Sequence, residues 1–322
     1  MYVLQKGLSG LLFLGCVAFG GNASGETTWQ VTPKFKINYP ALQEVSGISR
    51  SQRFEDVFWV HNDSGDEARV FAINRQGDVI YPEFLPFHGQ QSRPGRRPWP
   101  GHVIELAAHY DWEDIASDAD WLYIADTGNN GNARRDLGIY KVPQFNPRVI
   151  EKTRTMRYIP VAYPDQQLFP AENWHYDSEA LFVDAGQLYL ITKHRVAGRI
   201  GTFEPGGNLY RLTDAESDRP NELKQVDSLS TLFMVTGAAL SPNGERLAVL
   251  GFRDLWLFPR PSSGDAWLSE PHQTLDLTPY FMGQVEAITW LDDQRLWVVN
   301  EAGAVFEVSL DAAVGKKEAS LP

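Results

Sequence analysis

Short apolar runs recur along the chain, and their pattern predicts β-strands. Each run holds four or five consecutive residues rich in Val, Ile, Leu and aromatic side chains, and a polar turn follows it. Short runs bounded by turn residues are typical of strands. The clearest runs are 57–60, 121–125, 188–191, 247–250 and 296–299, and a further strand-like run follows each of them. We therefore expect an all-β fold.

A repeated phrase precedes each run and divides the chain into similar units. The phrase is an oxygen-bearing residue, then a small or acidic residue, then an aliphatic or small one. The oxygen-bearing residues are Ser46, Glu113, Glu179, Thr236 and Glu286, with gaps of 67, 66, 57 and 50 residues between them. Short strands and turns repeated at this spacing predict a β-propeller with five blades.

The strand-like segment 29–37 belongs to no unit, and the last unit shows only three strand-like runs. We expect this N-terminal strand to become the outer strand of the last blade, which closes the ring and covers an open sheet edge. The alternatives are six blades, with one hidden in residues 81–110, and an open sandwich. Because Pro and Gly are dense in residues 87–110, we expect a long loop there.

Composition and charge narrow the class of protein. The chain is 43% hydrophobic and 12% aromatic, which suits a folded β-rich domain. Its formal net charge of −12 argues against coating of nucleic acid. No run of 18 apolar residues is present, so no transmembrane span is expected.

Residues 1–25 carry the pattern of a secretion signal and are set aside from the fold. Lys6 is their only charged residue, and residues 8–14 form a short apolar core. The signal ends either by cleavage after Ala23 or, as a lipoprotein signal, before Cys16.

Residues 26–322 then form a single propeller domain that is periplasmic or secreted. The domain is either free or held at the outer membrane by a lipid on Cys16. Because Cys16 is the only cysteine, the mature domain has no disulfide and no Cys-ligated zinc site.

The first strand of each blade lines the central channel of a propeller, so the five oxygen-bearing residues are expected to converge there. Glu113, Glu179 and Glu286 are carboxylates, and two like charges about 4 Å apart repel by about 4 kcal/mol at an effective dielectric of about 20. Either the carboxylates share protons or a cation lies between them. Oxygen ligands without His or Cys favour calcium. The alternative is that each Glu caps a neighbouring strand or pairs with an Arg.

The series Ser46, Glu113, Glu179, Thr236 and Glu286 resembles the calcium-activated nucleotidases, or soluble apyrases. These are five-bladed propellers whose central calcium is held by a Ser, Glu, Glu, Ser, Glu series. The resemblance covers most of the mature chain as short phrases, and it implies that these five residues are the calcium positions. His61 and Asn62 stand where the family has an acidic pair, which argues against nucleotide hydrolysis. The phrases at 111–116 and 126–130 also resemble a broad group of bacterial secreted propellers of unsettled function, and esterase-like phytase domains are a looser likeness.

Polar and cationic residues follow in the turns at the same end of the predicted channel. His61 and Asp63 are the candidates for proton transfer. Lys193, Arg195 and Arg253 recur at equivalent turns and favour an anionic ligand, because a guanidinium binds carboxylates and phosphates through two parallel bonds. The predicted ligand-binding residues are Asn62, Asp126, Asn129, Asn130, Arg134, Lys193, His194, Arg195, Arg253, Asn300 and Glu301.

Two functions are compatible with these features. The first is a non-catalytic, calcium-centred propeller that binds an anionic small molecule or an envelope protein, and we favour it because the acidic pair is missing. The second is a calcium-dependent hydrolase of phosphorylated substrates, in which the cationic residues hold the substrate. A propeller fold alone cannot distinguish them.

Overall fold

The computed structural model describes residues 28–85, 88–89, 97–216 and 218–311. Strands dominate these residues, which contain two single-turn 3₁₀ helices, Trp267–Ser269 and Thr278–Tyr280. No helix among the described residues is long and apolar enough to span a bilayer. The predicted signal segment 1–25, with Cys16 and Ala23, lies outside the described residues.

The strands are short, and most pair antiparallel with the next strand in the chain. In chain order they are β1 (Thr28–Lys36), β2 (Val45–Arg50), β3 (Phe58–Asn62), β4 (Arg69–Ile73), β5 (Val79–Ile80), β6 (His88–Gly89), β7 (Arg97–Pro98), β8 (His102–Glu105), β9 (Trp112–Ser117), β10 (Trp121–Asp126), β11 (Gly138–Pro143), β12 (Lys152–Arg154), β13 (Arg157–Ala162), β14 (Trp174–Asp184), β15 (Gln187–Arg195), β16 (Gly207–Leu212), β17 (Asn221–Leu229), β18 (Val235–Leu240), β19 (Arg246–Gly251), β20 (Asp254–Pro259), β21 (Gln273–Asp276), β22 (Val285–Asp292), β23 (Arg295–Asn300) and β24 (Ala304–Asp311).

The sheets form successive antiparallel units around a central channel. The units are β2–β3–β4–β8, β9–β10–β11–β13, β14–β15–β16–β17, β18–β19–β20–β21 and β22–β23–β24–β1. A parallel pairing of β13 with β17 joins two of them into one eight-stranded sheet. The inner strands β2, β9, β14, β18 and β22 contact one another in this order around a ring, with β22 returning to β2. The predicted all-β propeller is confirmed, and this ring of inner strands supports five blades, a count that stays a prediction.

The N-terminal strand closes the ring, as predicted. β1 pairs antiparallel with β24, from Trp29 opposite Leu310 to Phe35 opposite Val305, with a register shift next to Pro33. Pro33 has no N–H to donate, and the outer edge of a sheet is where a strand tolerates proline. The first and last described strands therefore share one sheet.

The core lies between neighbouring sheets, so both faces of a middle strand are buried. In β19, Leu247 and Val249 pack into the core shared with the preceding unit. Ala248 and Leu250 pack into the core shared with the following unit. Burial on both faces explains why the strands are continuous apolar runs in the sequence rather than alternating patterns.

The segment predicted as a loop, 87–110, contains the four-residue strand β8 as well as the two-residue strands β6 and β7. β8 pairs antiparallel with β4, with Val70 opposite His102 and Arg69 opposite Val103. The loop prediction is therefore wrong at 102–105, where β8 supplies the outer strand of the first unit.

His102 makes the stability of this unit dependent on pH. Its ring is fully buried against Trp59, Trp99 and Phe145, and burial lowers its pKa to about 4. The fold favours the neutral ring, so this contribution is complete above the unfolded pKa of about 6.5 and is lost as the pH falls toward 4.

We expect His102→Phe to lose less stability than the wild type on acidification. Between about pH 7 and about pH 4.5, the fall in the free energy of unfolding should be smaller by about 2 kcal/mol in the variant. Urea unfolding followed by circular dichroism measures this difference. Parallel pH profiles for the two proteins would show that the imidazole does not carry the effect.

Candidate metal centre at one end of the channel

The five oxygen-bearing residues lie at the same end of the channel. Ser46, Glu113, Thr236 and Glu286 are each the second residue of an inner strand, whereas Glu179 is the sixth residue of the longer β14. All are buried except Glu286, which is partly exposed. We call this end the acidic funnel.

A β-bulge accompanies every one of these residues. The pairing register shifts across Ser46, Glu179, Thr236 and Glu286, and a further shift in the pairing of β10 with β9 lies opposite Glu113. A bulge places two residues opposite one and redirects a side chain, which is why bulges recur beside functional sites. The repeated phrase in the sequence therefore marks repeated bulges.

The two hydroxyl groups of the series bond to the next unit. Ser46 Oγ donates to the backbone oxygen of Glu113 at 2.6 Å. Thr236 Oγ1 donates to the backbone oxygen of Val285 at 2.9 Å. These bonds use the hydroxyl protons and leave oxygen lone pairs able to accept a donor or a cation.

Glu179 is paired with cations of the protein itself. Lys193 Nζ contacts Glu179 Oε1, and Arg195 Nη2 lies 3.4 Å from the same oxygen. Arg195 Nε also lies 2.8 Å from Asp177 Oδ2. Both cations are buried. Lys193 and Arg195, which were predicted to bind an anionic ligand, therefore pair with carboxylates of the protein itself.

Two groups of three carboxylates share Glu113. One oxygen from each of Asp63, Asp111 and Glu113 lies within 4.8 Å of the others, and the same holds for Glu113, Asp177 and Glu179. Lys193 and Arg195 compensate the second group. Within the described part of the chain, no member of the first group forms an ion pair. Asp63, Asp111 and Glu113 therefore lie close together without a direct ion-pair partner, although Arg134 acts on Asp111 and Lys193 on Glu113 at longer range.

Burial and neighbouring carboxylates disfavour the ionised forms of Asp111, Glu113, Glu179 and Glu286. Burial, with the neighbouring Glu179 and Asp63, raises the pKa of Glu113 well above its usual range. Burial raises the pKa of Asp111 to about 6 and that of Glu286 to about 6. It raises the pKa of Glu179 to about 8, although Lys193 opposes this shift. A cation held among these oxygens would stabilise their ionised forms.

The backbone closes over the same carboxylates at Gly128, in the loop after β10. A Cβ added to Gly128 would overlap Glu113 Oε1 and the carboxylate of Asp111. Only glycine lets the loop approach so closely, and the donors collected there are hard oxygens without sulfur or imidazole. This donor set fits calcium or magnesium better than zinc or copper.

Of the two residues predicted for proton transfer, only Asp63 lies in the acidic funnel. His61 is fully buried, with its Nδ1 2.8 Å from the backbone oxygen of Asn62 and its ring edge-on to Trp112. Burial lowers the pKa of His61 to about 4. His61 has no exposed atom through which to meet a substrate.

Most of the predicted ligand-binding residues hold loops in place. Asn62 Nδ2 donates to the backbone oxygen of Ala41, and Asn300 Nδ2 donates to that of Met282. Asn130 accepts a bond from Arg195, and Asp126 pairs with Arg134 at 2.9 Å. The side chain of Asn129 forms hydrogen bonds with the backbone of Tyr176, Ala133 and Arg134. His194 stacks on His175. Of the remaining two, Glu301 is partly exposed and Arg253 is exposed.

Asp111 and Asp177 are site residues that the sequence reasoning missed. Each lies two positions before a Glu of the repeated phrase, at Glu113 and Glu179. A repeated Asp-x-Glu pattern in the second and third units therefore marks these two aspartates in the sequence. It could have been found by extending the phrase toward the N-terminus.

No family model matches the chain, and no curated protein matches it. Among solved structures it is similar to the PQQ-bound aldose sugar dehydrogenase from Streptomyces coelicolor, with 12% identity, a TM-score of 0.46, and coverage of 89% of this chain and 100% of that chain. It is also similar to Myxococcus xanthus glutaminyl cyclase, with 12% identity, a TM-score of 0.47, and coverage of 87% and 96%. A glucose dehydrogenase matches with 10% identity, a TM-score of 0.48, and coverage of 88% and 100%. Similarity at this level says nothing about activity.

Proposed function

We propose that this protein is an extracytoplasmic five-bladed propeller that binds calcium in the acidic funnel and acts as a binding module rather than as a hydrolase. The observation that carries the proposal is the cluster of Asp63, Asp111 and Glu113, none of which forms an ion pair with another described residue. A hard divalent cation is the simplest compensation for three carboxylates that lie within 4.8 Å of one another.

The proposed ion lies to one side of the channel axis. Glu113 belongs to the series that resembles the nucleotidases, but Asp63 and Asp111 come from the turn after β3 and the segment before β9. On the other side, Lys193 supplies a positive charge at Glu179. We infer that Asp63, Asp111 and Glu113 hold the ion. The side chains of Ser46, Thr236 and Glu286 then line the rest of the acidic funnel.

A binding role fits these residues better than hydrolysis. The buried His61 has no exposed atom, and two of the three cations predicted to hold a substrate, Lys193 and Arg195, are paired with Asp177 and Glu179. When bound, calcium would supply coordination positions for the oxygens of an anionic small molecule or of an acidic group on an envelope protein. The chain's own residues would hold the ion and shape the funnel around it.

We expect calcium to stabilise the wild-type protein and Asp111→Asn to weaken that response. Saturation at about 100 times the dissociation constant adds about 2.7 kcal/mol to the free energy of unfolding. Losing one ionised ligand should raise the dissociation constant for calcium at least about ten-fold, since one hydrogen bond or ion contact to a charged group contributes about 1.5–3 kcal/mol. Calcium titration by calorimetry and thermal unfolding measure both effects.

Asp120→Asn is the matched control, because Asp120 is exposed and lies at the opposite end of the channel. It should respond to calcium like the wild type. An unchanged melting curve with calcium and with chelator would exclude the metal site. Calcium-dependent phosphate release from nucleotides would instead establish the hydrolase and overturn the binding role.

A further inference from the structure

A second opening lies at the other end of the channel. The inner strands begin at the acidic funnel and end at a cleft of about 730 Å³. Arg50, Ser117, Asp184, Leu240 and Trp290, one from the end of each inner strand, are among its lining residues. This volume falls in the range of about 300–1,000 Å³ that small-molecule sites occupy.

The carboxylates of this cleft are already paired. Asp184 accepts bonds of 2.8 and 3.0 Å from Arg260. Asp118 accepts two backbone N–H bonds and the hydroxyl of Tyr123 at 2.9 Å. Asp120 lies 3.5 Å from Arg53, which is outside the cleft. Asp184 and Asp118 are therefore held by the protein itself, whereas Asp120 is exposed.

Two cations of the cleft have no such partner. Neither Arg50 nor Lys141 forms an ion pair within the ranges that the structure describes, and both are partly exposed. Lys141 Nζ lies 4.3 Å from the ring centre of Trp121. Arg50 and Lys141 can therefore donate hydrogen bonds and positive charge to a ligand, in a lining that also holds Asp118 and Asp120 outside the pair of Arg260 with Asp184.

The backbone of Arg50 is fixed by hydrogen bonds to two neighbouring inner strands. Its backbone N–H donates to Thr289 Oγ1 at 3.0 Å, and its backbone oxygen accepts a bond from Ser117 Oγ at 2.9 Å. These bonds tie the end of β2 to the inner strands on both sides, β22 and β9. A guanidinium carried on a fixed backbone loses less conformational freedom when it binds a ligand.

We propose that this cleft is a second binding site, for a small organic oxyanion that carries a carboxylate or a phosphate. Arg50 binds the oxyanion through its two-pronged guanidinium, and Lys141 adds a second positive charge. The aromatic side chains of Trp121, Tyr123 and Trp290 line the space for the organic part of the ligand. The site is independent of calcium, because it lies at the opposite end of the channel from Asp63, Asp111 and Glu113.

Titration of the full chain with citrate, glucose 6-phosphate and inorganic phosphate tests the proposal, with tryptophan fluorescence and calorimetry as readouts. We expect citrate or glucose 6-phosphate to bind in the presence of chelator, and the stronger of the two identifies the oxyanion as carboxylate or phosphate. Arg50→Gln should raise the dissociation constant at least about ten-fold, and Lys141→Gln by a smaller factor. Arg253→Gln, which removes an exposed cation at the acidic funnel, should change nothing.

Three results would overturn the proposal: none of the probes binds at millimolar concentration, binding survives in a folded Arg50→Gln, or Arg253→Gln abolishes it. Lys141→Gln keeps the test informative if Arg50→Gln does not fold, because the partly exposed Lys141 lies on the third strand of its unit, β11, and makes no ion pair among the described residues. Because chelator is present throughout, failure of this site is distinguishable from failure of the calcium site.

Discussion

Asp114→Ala is expected to lower the free energy of unfolding by at least about 3 kcal/mol. The Asp114 side chain is fully buried and accepts hydrogen bonds from the backbone N–H groups of Ile115 at 2.8 Å, Leu181 at 2.8 Å and Ala238 at 3.3 Å. These donors belong to three inner strands, β9, β14 and β18. Alanine leaves all three without a partner, and each buried unsatisfied group costs about 1–3 kcal/mol.

Urea unfolding measures this loss, and Asp276→Ala is the comparison. Asp276 also accepts a backbone N–H bond, from Thr278 at 2.8 Å, but its carboxylate is in water. Water replaces the lost acceptor there, so the change should be much smaller than in Asp114→Ala. Equal losses in the two variants would mean that Asp114 does not join the inner strands.

The fold could be predicted from the sequence because its signal is local and repeated. Runs such as 247–250 are apolar on both faces, and the phrase around Ser46 and Thr236 recurs with each inner strand. The pairing of β1 with β24 could be predicted because segment 29–37 belonged to no unit and the last unit had an uncovered sheet edge, which needs a partner. β8 was missed because the Pro and Gly near it are equally typical of loops.

The direction of the cationic side chains could not be predicted in the same way. Lys193 lies opposite Asp177 in the pairing of β14 with β15, and this pairing shifts register twice around the site. Shifting a strand by one residue turns each side chain to the other face. A sequence that does not reveal the bulges therefore cannot show whether Lys193 and Arg195 face a ligand or face Glu179.

The burial of His61 was hidden for a related reason. His61 ends an apolar run and precedes turn residues, which is the pattern of an exposed turn. In the structure a Cβ added to Gly47 would overlap the His61 ring, so glycine at the bulge of β2 makes the space that the imidazole fills. This contact joins two strands, and only the folded pairing reveals it.

Gly128→Ala should markedly weaken the calcium response while leaving the propeller folded. The added methyl group would overlap the carboxylates of Glu113 and Asp111. The loop cannot easily move away, because Gly128 N–H donates to the backbone oxygen of Asp111 at 3.2 Å and its own oxygen accepts a bond from Arg134 at 2.8 Å. Overpacking of this kind costs about 1–3 kcal/mol, which corresponds to about a five-fold to 150-fold weaker affinity for calcium if the carboxylates must be displaced.

Gly131→Ala is a matched control in the same loop. Neither glycine has a positive φ, and a Cβ added to Gly131 would meet no atom within 4 Å. The control should therefore bind calcium like the wild type, because the two substitutions differ only in what the methyl group touches. Equal calcium affinity in Gly128→Ala and Gly131→Ala, measured by calorimetry on folded proteins, would move the ion away from Glu113 and Asp111. A selective loss in Gly128→Ala would localise the ion to these two carboxylates without altering a single charged group.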